Sequence, residues 1–151
     1  MALLDLWKTV GLFSGLSEEQ LQRLIAISQE EVFNEGDIIF EQGAEGDKLY
    51  FISEGQVEIR IRKTPQSPER SQVYLGRGQI FGEMALLDLG KRSATVKCSR
   101  SHTVLRSITG DAFTELCSTD TAIGYIIMRN MAIDMSFKLR HRNLDLGAGS
   151  Q

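Results

Sequence analysis

FGEMALLDLGKRSATVKC, residues 81–98, changes character twice within a short span. Residues 82–87 read as one or two helical turns entered from Gly82, a residue that lets the backbone come close to a group outside the protein. A helix start offers unpaired N–H groups and a positive dipole end, so it suits an anion. After a turn at Leu89-Gly90-Lys91 the pattern alternates over 93–99, with Ala94, Val96 and Cys98 on one face. Arg92 heads that strand, nine residues after Glu83, and the turn brings its guanidinium back over the helix start. One phosphate then meets backbone donors on one side and a bidentate fork on the other. Taken singly, Glu83 reads as a favourable charge in a first helical turn and Arg92 as a solvated strand-edge residue. It is their joint spacing that points to an anion site.

Toward the N-terminus the hydrophobic period is two from Gln29 onward. Segments 31–33, 37–40, 48–53 and 56–62 read as strands, separated by glycine-bearing turns at 34–36, 43–46 and 54–55. In 56–62, Val57, Ile59 and Ile61 face inward while Glu58, Arg60 and Arg62 face water, so the arginines form a solvated face rather than a binding stripe. Residues 64–71, with Pro65 and Pro68, read as a mobile hairpin tip, and 72–75 resumes the sheet. The last strand is expected at 102–108, with His102 an ordinary surface or half-buried histidine. Many short strands at regular spacing predict a mainly β fold with flanking helices, an antiparallel β-roll or jelly-roll-like barrel.

Helices flank this sheet region. Leu3, Leu4, Leu6, Trp7, Leu12, Phe13 and Leu16 form an apolar opening, and Ser17-Glu18-Glu19-Gln20 is a capping box before the stripe of Leu21, Leu24 and Ile25. Beyond the sheet, 111–117 reads as a short helix, and Ser118-Thr119-Asp120 caps a longer one running to about Arg142. That helix carries two apolar lines, Met128, Met131, Met135 and Leu139 on one side and Ile126, Ile133, Phe137 and Leu144 on another. Two such faces need two covers: the barrel with its pocket, and a second subunit or partner protein. The expected organisation is one domain, with a helical lead-in at 1–28, the β-roll at 29–108, C-terminal helices at 109–142 and a flexible tail at 143–151.

Composition narrows the function. A chain of 151 residues, 42% hydrophobic and 25% charged, suits one globular domain. Its net charge of −3 argues against nucleic acid as a partner of this chain alone. The apolar run at 125–128 is far too short to span a membrane, and MALLDLWK lacks the features of a signal peptide, so a cytoplasmic location is expected. Cys98 and Cys117 form no CxxC pair and read as free thiols. His102 and His141 lie far apart, so no metal is expected and a cupin-type metalloenzyme is disfavoured.

The 81–98 string resembles the phosphate-binding cassette of cyclic nucleotide-binding domains, the family of catabolite activator proteins, kinase regulatory subunits and cyclic-nucleotide-gated channels. The upstream segment is similar too, supplying Gly36, Asp37, Ile39, Phe40, Gly43, Gly46, Asp47, Tyr50, Phe51, Ile52 and Gly55 in the family's order, each glycine expected to shape a turn. The resemblance implies that Glu83 holds a ribose 2′-hydroxyl and Arg92 the cyclic phosphate. It also implies that N–H groups around Gly82, Met84, Ala85, Leu86 and Ala94 complete the anion site, those of Ala85, Leu86 and Ala94 foremost. Ser93 sits where cGMP-dependent kinases tend to carry threonine and where bacterial cAMP-dependent activators often carry serine, so the string leans to cAMP over cGMP.

The last helix is expected to close over the base through Arg129, Met131, Ala132, Met135 or Ser136. The implied protein is a sensor module with no catalytic step and no cofactor beyond its ligand, signalling by movement of that helix, with a homodimer or partner complex along it. Two alternatives stand beside it. One is a cyclic-nucleotide-responsive transcription regulator without its DNA-binding domain, since the activator branch carries a helix-turn-helix where this sequence runs out. The other is an interaction scaffold that keeps the barrel but not the ligand.

Overall fold

The computed structural model describes residues 2–87 and 90–149, with 142–149 described as backbone only. Among these residues the strands are β1 (Gln29–Phe33), β2 (Ile38–Phe40), β3 (Lys48–Glu54), β4 (Gln56–Ile61), β5 (Arg70–Gly76), β6 (Ile80–Phe81), β7 (Thr95–Cys98) and β8 (Thr103–Thr109). They form two antiparallel sheets, ordered β1-β8-β3-β6 and β2-β7-β4-β5, which face each other as the predicted β-roll. Helices α1 (Leu3–Lys8), α2 (Glu18–Ile27), α3 (Gly110–Thr119) and α4 (Thr121–Gly149) flank them, with short 3₁₀ helices at Gly11–Phe13 and Glu83–Leu86. No described helix is long and apolar enough to cross a membrane.

Strand β3 organises the interior because it is covered on both sides. Its period of two sends Tyr50 and Ile52 into the barrel, where they meet Val57, Phe81, Val96 and Leu105. Leu49 and Phe51 point the other way, into a second core built with Trp7, Phe13, Leu24, Phe113, Ile123, Ile127 and Met131. Trp7 stacks on Phe13 at 5.2 Å between ring centroids and tilts against Phe51 at 5.0 Å, which binds the N-terminal elements to the sheet. The capping box forms as expected: the Ser17 hydroxyl accepts from the Gln20 N–H at 3.1 Å, and the Gln20 side chain accepts from the Ser17 N–H at 2.9 Å.

Several boundaries differ from the sequence expectations. The turns at 82–87 are a 3₁₀ helix, and the strand after Arg92 begins at Thr95. His102 lies in a turn with φ of 63°, so β8 starts one residue later than expected. Within the 64–71 tip the Ser67 N–H donates to the Thr64 carbonyl at 3.0 Å and the Arg62 guanidinium donates to the Ser67 carbonyl at 3.1 Å, and β5 begins at Arg70, two residues earlier than expected. Helix α4 continues past Arg142 through Gly149.

Candidate functional site

Arg92 is placed by backbone pairing before its side chain makes any contact. Its N–H donates to the Ala44 carbonyl at 2.7 Å, the Gly43 N–H donates to the Arg92 carbonyl at 2.8 Å, and Glu45 bridges Lys91. The side chain then runs inward between two glycines. A Cβ on Gly46 would lie 2.9 Å from the Arg92 Nε, and one on Gly82 would lie 2.7 Å from Nη1 and 3.0 Å from the Lys48 carbonyl oxygen. Gly82 also has φ of +75°, a left-handed conformation that favours glycine. Gly46, expected to serve a turn, instead clears a path for the guanidinium.

The guanidinium ends in a built socket. It donates to the Lys48 carbonyl at 2.8 Å and to the Gly82 carbonyl at 3.3 Å, and it lies over the Phe40 ring with Cζ 3.9 Å from the centroid. Arg92 is only 8% exposed, and its Nε is buried without a partner among the described residues. Burial lowers its pKa, opposed by Tyr50, Asp47 and Glu83, but a guanidinium remains charged at neutral pH. Tyr50 stacks on Phe81 at 5.1 Å, and burial foremost, with Glu31, raises its pKa to about 12.

Arg92 opens onto a cavity of about 590 Å³. The barrel contributes an apolar wall of Phe40, Ile59, Val73, Leu75 and Val96, and the cassette contributes Gly82, Glu83, Met84, Ala85, Ser93 and Ala94. Seven of the eight ligand-site residues expected from sequence thus share one space: Gly82, Glu83, Met84, Ala85, Arg92, Ser93 and Ala94. Leu86 does not line it. Its side chain packs into the helical core beside Phe51 and Ile108. The Ala85 N–H already donates to the Gly82 carbonyl at 3.1 Å, closing the 3₁₀ turn. A concave, mostly apolar space with a buried guanidinium at its wall suits a small anion that also carries an apolar group.

The lid residues expected on α4 fall elsewhere. Met131 is buried in the helical core and, with Met135, borders a neighbouring groove of about 750 Å³. Arg129, Ala132 and Ser136 lie on a different face of α4 with Arg140. Among the described α4 side chains, Lys138 lines the Arg92 cavity, and sequence reading did not single it out. Helical periodicity shows which residues share a face but not which face meets the barrel. Phe40 was legible as a strand residue and as part of the family's upstream pattern but not as the ring beneath Arg92, and the Lys48 carbonyl leaves no side-chain signal. Among the described residues no group of three His, Cys, Asp or Glu side chains is arranged to hold a metal ion.

The cyclic nucleotide-binding domain profile matches residues 30–120, the span from β1 to the end of α3, and the chain belongs to that family. It is 38% identical over 90 residues, 59% of its length, to cGMP-dependent protein kinase isozyme 1 of Drosophila melanogaster, and covers 12% of that kinase. It is 30% identical to the cyclic AMP receptor protein of Thermus thermophilus over 89% of this chain and 60% of that protein. The crystal structure of the Thermus thermophilus catabolite activator protein superposes with a TM-score of 0.79 at 31% identity, over 93% of this chain and 63% of that one. The chain therefore spans less than two thirds of the length of these relatives.

Proposed function

We propose that the Arg92 cavity binds a cyclic nucleotide, cAMP in preference to cGMP, and that α4 carries the signal onward. The observation that carries this reading is the buried guanidinium, fixed by two carbonyls and two glycines, facing a cavity that Glu83 also lines. Arg92 takes the cyclic phosphate, Glu83 the ribose 2′-hydroxyl, and the apolar barrel wall the sugar and base edge. The lean to cAMP rests on Ser93 and on the longer match to a relative named for cyclic AMP, while the kinase relative is named for cGMP. Binding reports outward only if it favours one arrangement of α4 over another. The outer part of that helix exposes Ile133, Phe137 and Leu139, which suits a second copy or a partner protein as its cover.

Titration of the full chain with fluorescent cAMP and cGMP tests the reading, with 2′-deoxy-cAMP as competitor. The expected result is binding of both, cAMP more tightly, with Glu83→Ala weakening cAMP much more than the 2′-deoxy analogue. Equal losses for the two ligands would remove Glu83 from the ribose. Tenfold tighter cGMP binding that disappears in Ser93→Ala would reverse the preference and make Ser93 the guanine contact.

A further inference from the structure

This inference rests on the cyclic-nucleotide reading of the cavity and concerns how an anion enters it. Among the described residues, the charged side chains lining the cavity are Glu83, Lys91, Arg92 and Lys138. Arg92 is buried and feels the carboxylates of Asp47 and Glu83, while Lys138 is bonded to Asp134 at 2.9 Å. Those two cations and three carboxylates leave one negative charge, on a chain whose net charge is −3. An incoming cyclic phosphate therefore gains no net attraction from them. Lys91 restores the balance. Its side chain is exposed and enters no ion pair among the described residues. Its backbone is fixed at the rim by the bridge to Glu45, and the next N–H, that of Arg92, donates to the Ala44 carbonyl at 2.7 Å. The Glu45 carboxylate lies across that bridge but does not line the cavity.

We propose that Lys91 captures the ligand: its exposed amine meets the phosphate at the rim and passes it to the buried guanidinium one residue along. The division of labour follows from burial. A guanidinium that is 8% exposed touches an anion only once that anion is inside, whereas an exposed amine acts on it during the approach. Charges at a rim set the association rate and its salt dependence, and buried hydrogen-bonded charges set dissociation. Two neighbours in sequence thus separate entry from retention. The same amine favours anionic cyclic nucleotides over uncharged nucleosides carrying the same sugar and base.

Stopped-flow mixing of the full chain with fluorescent cAMP over a range of salt concentrations tests this. Lys91→Ala is expected to slow association roughly two- to five-fold at low salt, to flatten its salt dependence and to leave dissociation unchanged. Lys91→Arg should keep the parent rate, and Arg92→Ala should act mainly on dissociation. Glu45→Gln removes the opposing charge across the bridge and should speed association by a similar factor. An unchanged association rate in Lys91→Ala, a loss in that variant that lies in dissociation, or slower association in Glu45→Gln overturns the inference while leaving the nucleotide site standing. A wild-type protein that binds neither cAMP nor cGMP overturns the functional reading and this inference with it.

Discussion

Arg92 shows how a surface-type residue becomes a site. A free arginine on a strand edge is solvated, whereas this one is threaded between Gly46 and Gly82 until its nitrogens meet the carbonyls of Lys48 and Gly82. Any side chain at 82 must take up positive φ and push on the Lys48 carbonyl, which is backbone and cannot swing aside. Gly82→Ala should therefore cost about 1–3 kcal/mol of stability and misplace the guanidinium. Thermal unfolding checks the first effect and nucleotide titration the second; a variant as stable as the parent would show that the turn is not strained. Tyr50 makes a separate prediction. Its folded pKa, raised to about 12, lies above the unfolded value, so its contribution is complete below about pH 10 and is lost as pH climbs through 12. Tyr50→Phe should remove a pH-dependent term on the order of 2 kcal/mol from the alkaline limb of the stability curve. Urea midpoints from pH 9 to 12 whose slope is identical in the two proteins would contradict this. Arg92 and Glu83 were legible in the sequence because their spacing is a local pattern. The space-making role of Gly46 was not, because the atom needing that space belongs to a residue far along the chain.

Helix α4 divides into an anchored part and a free part. Ile123, Ile127 and Met131 are buried in the helical core, and the Asn130 amide donates to the Leu12 and Ser14 carbonyls at 2.8 Å each. Beyond Met131, Ile133, Phe137 and Leu139 are 51–60% exposed. Substitutions on the two sides of that division should behave differently. Met131→Ala should cost about 2–5 kcal/mol by opening a cavity in the helical core. Phe137→Glu should change the stability of the isolated domain by less than about 0.5 kcal/mol while weakening self-association. Denaturant unfolding and sedimentation velocity separate these outcomes, and a Phe137→Glu protein that sediments like the parent at high concentration would leave only a partner protein as the cover. The sequence showed that this segment is helical and has more than one apolar face. It did not show the azimuth: Arg129, Ala132 and Ser136 turned away from the cavity and Lys138 turned toward it, because the docking angle is set by Asn130 and the core rather than by the period of α4 itself.

At the scale of the whole molecule, two cores share β3 and meet again at the cassette. The 3₁₀ helix sends Leu86 into the helical core while Ala85 lines the cavity. Its backbone also rests against Gly110 at the start of α3, where an added Cβ would lie 3.1 Å from the Ala85 carbonyl oxygen. On the proposed reading, a ligand that pulls on the cassette would act on the packing of α3 and α4 through these contacts. The β-roll was legible because glycine turns and period-two segments recur, whereas the two-core division depends on which face of β3 each helix covers. The account stands or falls on the cavity being a cyclic-nucleotide site held by Arg92. The most direct measurement is calorimetric titration of cAMP into the parent protein and Arg92→Ala, with near-ultraviolet circular dichroism confirming that the variant keeps its tertiary packing. Truncating a buried, hydrogen-bonded charge that grips its counter-ion should cost about 2–5 kcal/mol, roughly thirty-fold to several thousand-fold in affinity. A natively packed Arg92→Ala protein that binds cAMP as tightly as the parent would contradict the account.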